Sequence, residues 1–290
     1  MKNIGELDLA ALQPLIRMAL DEDVGSGDVT SESVIPADAR AQGRFIAKAD
    51  GAIAGLPIVS AVYALVDAAI IVRPLADDGD RVHCGSIIAE VAGPAAGVLT
   101  GERVALNFLQ RLSGVATLTA RYVEAVRGAR ARILDTRKTT PGLREPEKYA
   151  VRMGGGTNHR HGLYDLVLIK DNHLELSGRQ AIGEAVSRAR QNAPAGMRVE
   201  VEVEDLRQVK EALAARADII MLDNMTIETT TEAVRLIRSA DYAVEIEASG
   251  GVTLDSVRAI AETGVDFISV GELTHSAPAL DISLELHSTR

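Results

Sequence analysis

The later half of this sequence predicts a parallel α/β fold, a closed barrel with a doubly wound open sheet as its alternative. Two observations carry that expectation. Short β-rich runs occur at 132–136 (RILDT), 165–170 (DLVLIK), 198–203 (RVEVEV), 218–222 (DIIML), 242–247 (YAVEIE) and 265–270 (VDFISV), and segments of helical period near 178–191, 205–215, 227–239 and 253–263 separate the later ones. Such alternation means parallel strands joined by crossover helices. Six strands, with room for another near 150–164, approach the number a barrel needs. The second observation is compositional: no Trp, three Phe and five Tyr stand among 290 residues, so the core is aliphatic. Thr253 is the expected N-cap of the last helix.

Before residue 130 the rhythm differs. Leu9, Leu12, Ile16 and Leu20 recur at helical spacing, with Pro14 expected in the first turn. A polar loop, EDVGSGDVTSES, follows. Strand-like runs come next at Arg44–Lys48, Ile70–Arg73 and Ser86–Val91, punctuated by glycines. A long helix is expected from near Glu102 to Val126, with Gly101 just before it. The stretch GDRVHCGSIIAEVAG looks like half of a lipoyl or biotinyl carrier domain. The turn after it reads GPAAG and lacks the lysine such a domain modifies, so the stretch is read as β-scaffold.

Bulk numbers narrow the function classes. At 47% hydrophobic and 25% charged, the chain can bury a full core as one large domain or a large domain with a smaller companion. A net charge of −10 repels polyphosphate backbones, and few aromatic residues are available to stack bases, so nucleic acid is not expected as a partner. Any bound anion must be held by a local basic cluster. Cys84 is the one cysteine, which excludes internal disulfides and multi-thiolate metal sites. The N-terminus lacks a basic segment followed by an apolar run, and no stretch is long enough to span a bilayer. The cytoplasm is the expected location, with no membrane partner.

The functional signal lies in where polar residues fall. In a parallel barrel, chemistry gathers at the C-terminal ends of the strands. RILDT runs into Arg137 and Lys138, DLVLI into Lys170, and DIIML into Asp223 and Asn224. RVEVEV carries Glu200 and Glu202 on one face. YAVEIE runs into Ser249, Gly250 and Gly251, and VDFISV into Gly271. The Ser-Gly-Gly turn before a helix suits a phosphate, since its backbone N–H groups and hydroxyl are donors. Glu202 and Asp223 can accept ribose hydroxyls or hold Mg2+ through water. Arg137, Lys138, His159, Arg160 and Lys170 concentrate positive charge in an acidic protein, which points to a strongly anionic ligand. His159 and His161 alternate, but no third clustered ligand is visible in the sequence, so zinc is not expected.

Taken together, GERVALNFLQRLSGVAT, LDTRKTTPGLR, GGGTNHRHGLYD, IKDNHL, VEVE, MLDN, EASGGV and VGELTHSAPALDISL resemble the quinolinate phosphoribosyltransferases over nearly the whole chain. The resemblance implies an incomplete, roughly seven-stranded α/β barrel over residues 113–276. It implies an N-terminal α/β sandwich over 1–112 and a tail, 277–290, that packs back on that sandwich. It implies decarboxylating transfer of a phosphoribosyl group to quinolinate, for NAD synthesis, with Mg2+. By motif, it assigns quinolinate binding to Arg137, Lys138, His159, Arg160 and Lys170, beside Thr136, with Arg103 supplied by the other subunit of a homodimer. Glu202 and Asp223 are assigned to the ribose and Mg2+, and Ser249, Gly250, Gly251 and Gly271 to the 5′-phosphate. Lys138, Lys170, Glu202 and Asp223 are the expected catalytic groups. The rivals are a nicotinate phosphoribosyltransferase, which needs fewer ring-side cations, and an aldolase-like barrel with a Schiff base on Lys170.

Overall fold

The computed structural model describes residues 7–178 and 181–289. Its elements begin with α1 (Leu9–Val24), α2 (Val29–Val34), β1 (Arg40–Ala47), β2 (Gly51–Ala52), α3 (Leu56–Val66), β3 (Ile71–Pro74), β4 (Arg81–Val82) and β5 (Ile87–Pro94). There follow α4 (Ala95–Ala125), β6 (Arg132–Leu134), α5 (Arg144–Met153), β7 (Val167–Ile169), α6 (Asp171–Leu176), α7 (Ile182–Asn192), β8 (Val199–Val203) and α8 (Leu206–Ala214). The chain ends with β9 (Ile219–Asp223), α9 (Ile227–Arg238), β10 (Glu245–Ser249), α10 (Val257–Glu262), β11 (Phe267–Ser269), α11 (Glu272–His275) and β12 (Ile282–Thr289). They form two compact units, one of Met1–Ala120, Thr139–Gly155 and Leu273–Arg290, the other of Arg121–Lys138 and Gly156–Glu272. No helix among the described residues is long and apolar enough to cross a membrane.

The first unit is built on an antiparallel sheet of order β12-β1-β5-β3. β1 buries Ala41, Gly43, Phe45 and Ala47 on one face, the alternation of a strand covered on one side. β12, from the C-terminal tail, pairs with β1 along its whole length, Arg40 opposite Thr289 and Ala47 opposite Ile282. Pro14 sits in the second turn of α1, beyond the first-turn position that its sequence context suggested. The helix instead starts on Asp8, whose side chain accepts the Ala11 N–H at 3.1 Å. α4 begins seven residues before the expected start near Glu102 and runs through Gly101. That glycine is a packing site and not a stop: a Cβ there would come 2.8 Å from Tyr63 Cε1 on α3. The tail crosses α4 as closely, for a Cβ on Gly114 would lie 2.0 Å from the Pro278 carbonyl oxygen.

The second unit carries a parallel sheet of order β6-β11-β10-β9-β8-β7. Neighbours in space follow chain order from β7 to β11, and the last strand then pairs with the first. This is the order of an α/β barrel whose sheet is open between its first two strands, so the fold is a barrel-like α/β sheet. The curl is incomplete. Beyond β6 extended pairing shrinks to one parallel bridge, Leu134 with Thr157, where the sequence left room for a seventh strand. Only the start of that room is helical, since α5 ends at Met153, and the rest is loop. Helix α7 starts at Ile182, and part of its expected range, 179–180, lies outside the described residues. The N-cap of α10 is Ser256 and not the expected Thr253: the two residues instead close the turn before the helix, each backbone N–H donating to the other's hydroxyl at 3.0 and 3.3 Å.

Candidate active site

Strand register decides which side chains share a face. The paired positions are Leu168 with Glu200, Glu202 with Met221, Met221 with Glu247, Asp223 with Ser249, and Ser269 with Leu134. Alternation therefore puts Glu200, Glu202, Asp223, Glu247, Ser249 and Ser269 on one face of the sheet. Lys170, Thr136 and Gly271 continue the same alternation one step past their strands. Lys170 joins that face directly, since its ammonium donates to Glu202 Oε2. Six of the residues expected from sequence, Thr136, Lys170, Glu202, Asp223, Ser249 and Gly271, are thus brought to the C-terminal rim of one sheet.

The loops above this rim hold the other cations expected of the site in this unit, Arg137, Lys138, His159 and Arg160. After β6 comes Asp135, fully buried, which organises two segments at once. It accepts the His159 N–H at 2.8 Å and the Asn158 side-chain amide at 2.6 Å. Thr136 Oγ1 accepts the Lys138 N–H at 3.0 Å and turns the chain so that Arg137 and Lys138 follow the strand end. Arg160 donates to the Leu166 carbonyl at 3.2 Å. Burial, and then the like charge of Arg137, pull the Arg160 pKa downward. Asp165 accepts the backbone N–H groups of His161 and Gly162 at 2.6 and 3.0 Å, closing the loop that carries Arg160. Partial burial raises the Asp165 pKa, but these two donors outweigh it and hold the carboxyl low.

Beneath the cations lies a buried polar cluster. His159 Nε2 is 3.2 Å from Glu200 Oε2 and 3.4 Å from Glu247 Oε2. Ser269 Oγ donates to Glu247 Oε1 at 2.5 Å. Glu200 is within ion-pair distance of the ring, yet neither of its oxygens has an aligned hydrogen bond among the described residues. Burial and the neighbouring Glu247 charge push the Glu200 pKa up to about 7, against the pull of His159 and Arg160. For His159 burial disfavours the charged ring, but the two carboxylates overcome it and push the pKa up to about 10. That imidazolium is at odds with Nδ1, which accepts the Arg160 backbone N–H at 2.6 Å and so needs its lone pair. The acceptor role of Nδ1 makes the ring the Nε2–H tautomer, its proton facing the carboxylates. Three metal-capable groups, His159, Glu200 and Glu247, therefore converge where the sequence offered His159 only His161.

The Ser249–Gly251 loop is shaped by steric exclusion. Gly250 and Gly251 have φ of +93° and +58°. A Cβ on Gly250 would come 2.2 Å from Asn224 Oδ1, so only glycine fits. Asn224, itself at φ +51°, donates its backbone N–H to the Ser249 carbonyl at 2.9 Å and its side-chain amide to Asp223 Oδ2 at 2.7 Å. β9 and β10 thereby share one terminal turn.

Arg103 belongs to the other unit, exposed on α4. A cavity of about 590 Å3 opens at the amino-terminal end of the parallel strands, lined by Arg130, Arg198, Arg238, Glu245 and Asp266. Its three arginines face three acids, Asp218, Glu245 and Asp266, and pair with the last two at 2.5–2.7 Å, which leaves no surplus charge for an anion. The sequence reading missed Asp135, Glu247 and Ser269. Asp135 and Glu247 carried the same signal as Glu200, an acid inside an apolar run.

A parallel α/β barrel with cations, carboxylates and a glycine turn on one rim defines a protein that handles phosphorylated anions. Residues 28–113 match the family described as Quinolinate phosphoribosyl transferase, N-terminal domain, and residues 115–285 its C-terminal domain. The chain belongs to the quinolinate phosphoribosyltransferase family. It is 46% identical over 275 residues to a Bacillus subtilis protein described as a probable nicotinate-nucleotide pyrophosphorylase (carboxylating), covering 95% of this chain and 93% of that one. A Synechocystis protein with the same description is 46% identical, over 95% of this chain and 92% of its own. Among solved structures, NadC from Streptococcus pyogenes superposes with a TM-score of 0.93 at 42% identity, covering 98% of this chain and 99% of the other. Human nicotinic acid phosphoribosyltransferase, at TM-score 0.63 and 14% identity, shares the fold alone.

Proposed function

We infer that this protein transfers the phosphoribosyl group of phosphoribosyl pyrophosphate to quinolinate and releases carbon dioxide, giving nicotinate mononucleotide for NAD synthesis. One observation carries the reading beyond the family match: Lys170, Glu202, Asp223 and Ser249 share a face at one rim, beside loops bearing Arg137, Lys138 and Arg160. A dicarboxylate and a polyphosphate must lie together during the reaction, and only a dense cationic set offsets their repulsion. Arg137, Lys138, Arg160 and Lys170, with His159 beside them, are proposed to bind quinolinate. Ser249, Gly250, Gly251 and Gly271 are proposed to bind the 5′-phosphate.

The chemistry follows from these roles. The bond from the ribose anomeric carbon to pyrophosphate breaks, and the quinolinate ring nitrogen forms a bond to that carbon. Glu202 and Asp223 stabilise the positive charge that the ribose carbon develops. The alkylated nitrogen is cationic, so it stabilises the electron pair left on the adjacent ring carbon when the carboxylate departs as carbon dioxide. A proton then replaces the carboxylate, and Lys138 and Lys170 are the donors at hand. Two carboxylates on adjacent strand ends, neither fully buried, suit a hard divalent cation, so Glu202 and Asp223 are the residues proposed to hold Mg2+, directly or through water. When bound, Mg2+ neutralises charge on the pyrophosphate.

We further propose a homodimer in which Arg103 completes the partner's site. The test of function is direct. With quinolinate labelled in the carboxyl beside the ring nitrogen, labelled carbon dioxide and nicotinate mononucleotide should appear only when phosphoribosyl pyrophosphate and Mg2+ are both present. Release that is indifferent to phosphoribosyl pyrophosphate, or to EDTA, would refute the reading.

A further inference from the structure

Glu247, Glu200 and Ser269 lie outside the assigned binding residues, yet they are built into the same sheet face. Glu247 is 1% exposed and Glu200 0%, each within a strand that otherwise buries apolar side chains. Buried carboxylates persist where a partner holds them. Glu247 has two: Ser269 Oγ donates to one oxygen at 2.5 Å, and His159 Nε2 stands 3.4 Å from the other. Glu200 adds its own oxygen at 3.2 Å from the same nitrogen. The opposite side of the ring is engaged as well, because Nδ1 accepts the Arg160 N–H at 2.6 Å. Asp135 grips the same segment from β6 through the His159 N–H at 2.8 Å. The ring is therefore a wedge between the barrel floor and the backbone from which Arg160 projects.

We propose that Glu247, tethered by Ser269 and assisted by Glu200, is a positioning residue for carboxylate recognition: it sets the tautomer and orientation of His159, and through Nδ1 the placement of Arg160. The proposal rests on the reading of this rim as the quinolinate site. Other uses of the cluster fit less well. A metal ion would need the Nε2 lone pair, but the hydrogen bond into Nδ1 places the ring proton on Nε2. The proton already occupies the place a metal would take.

Two measurements on the full-length protein test this. The first is steady-state kinetics of Glu247→Gln, which keeps the shape and removes the charge, and of Ser269→Ala, which removes only the tether. Loss of a charge-assisted hydrogen bond should raise the quinolinate KM about tenfold in Glu247→Gln and less in Ser269→Ala, with the phosphoribosyl pyrophosphate KM nearly unchanged. The second is NMR of 15N-labelled histidine rings, with the His159 signals identified by their loss in His159→Gln. Wild type should show an Nε2–H ring, and Glu247→Gln a mixture of tautomers. An unchanged quinolinate KM in a folded variant overturns the proposal, as does an equal rise in both KM values. A stoichiometric divalent metal, bound in wild type and lost in Glu247→Gln, overturns it too. Should Glu247→Gln fail to fold, Ser269→Ala carries the same test. If wild type does not turn over quinolinate, the functional reading falls. The ring spectra still decide whether the carboxylates hold His159.

Discussion

At Gly250 the backbone lies at φ +93°, and a Cβ would meet Asn224 Oδ1 at 2.2 Å. Gly250→Ala must strain the turn, displace Asn224 or both, at a cost of roughly 1–3 kcal/mol from backbone strain alone. The expected result is a phosphoribosyl pyrophosphate KM raised about tenfold or more, with equilibrium binding of quinolinate little changed. Isothermal titration with each substrate separates the two. Asp223→Asn should likewise weaken use of phosphoribosyl pyrophosphate more than quinolinate binding, and the reverse order would remove Asp223 from the ribose side. A site built for two carboxylates also loses heavily when one is missing. Replacing quinolinate by nicotinate should lower kcat/KM by about a thousandfold, several kcal/mol for an unmade desolvated ion pair. Comparable values for the two acids would contradict the assignment. At this scale the sequence was most legible where a residue type has one use: glycines in the turn, cations after strands. Glu247 showed only as an acid inside an apolar run, and Ser269 showed nothing, because the meaning of both depends on a histidine far away in the chain.

Among the elements, Glu147 on α5 shows how a buried charge ties segments together. It is fully buried and takes Arg111 of α4 at 2.7 and 3.1 Å, with the Thr140 N–H at 3.0 Å. Arg111 also donates to the Ala277 carbonyl at 2.8 Å, which brings in the tail. Glu147→Ala should cost about 3–5 kcal/mol in chemical denaturation, since it strands Arg111. A loss below about 1 kcal/mol would mean the pair is no more than a surface contact. Asp266, just before β11, gives a pH test. Burial alone would raise its pKa, but Arg238, the Ile246 N–H and Arg130 outweigh burial and hold it low. A depressed carboxylate stabilises the fold above its unfolded pKa, near 4, and loses that contribution as pH falls through the folded value. The Tm gap between wild type and Asp266→Asn should therefore be full at pH 7 and close below about pH 4. A gap that does not narrow at all as pH falls below about 4 would refute it. Elements with clear periodicity, such as α8 and α9, start within a residue or so of where the sequence puts them. The start of α4 does not, because Gly97 and Gly101 read as breakers until α3 is known to pack on them.

For the whole molecule, Arg103 raises the question of a shared site. It stands exposed on a long helix of the first unit, while every other assigned residue belongs to the second. If each subunit lends Arg103 to the other, two inactive variants, Arg103→Ala and Lys138→Ala, should complement when unfolded and refolded together. In a mixed dimer one site carries both lesions and the other neither, so random pairing leaves roughly a quarter of all sites intact. Activity near that fraction is the expected result. Mixed dimers that demonstrably form and stay inactive would confine Arg103 to its own subunit.

By itself the sequence determined the parallel α/β class, the aliphatic core, and the residue types that gather at strand ends. Each of these is local: a period of two or of 3.6, a glycine where φ must be positive, an acid or base ending an apolar run. Tertiary structure alone decided that the sheet curls, because pairing β11 with β6 is a contact between distant segments that no periodicity records. It also decided which carboxylates matter inside the barrel. Glu200 and Glu247 look like ordinary strand acids until register sets them on one face and Asp135 draws His159 down to them. Burial then makes that single histidine a partner the two carboxylates share.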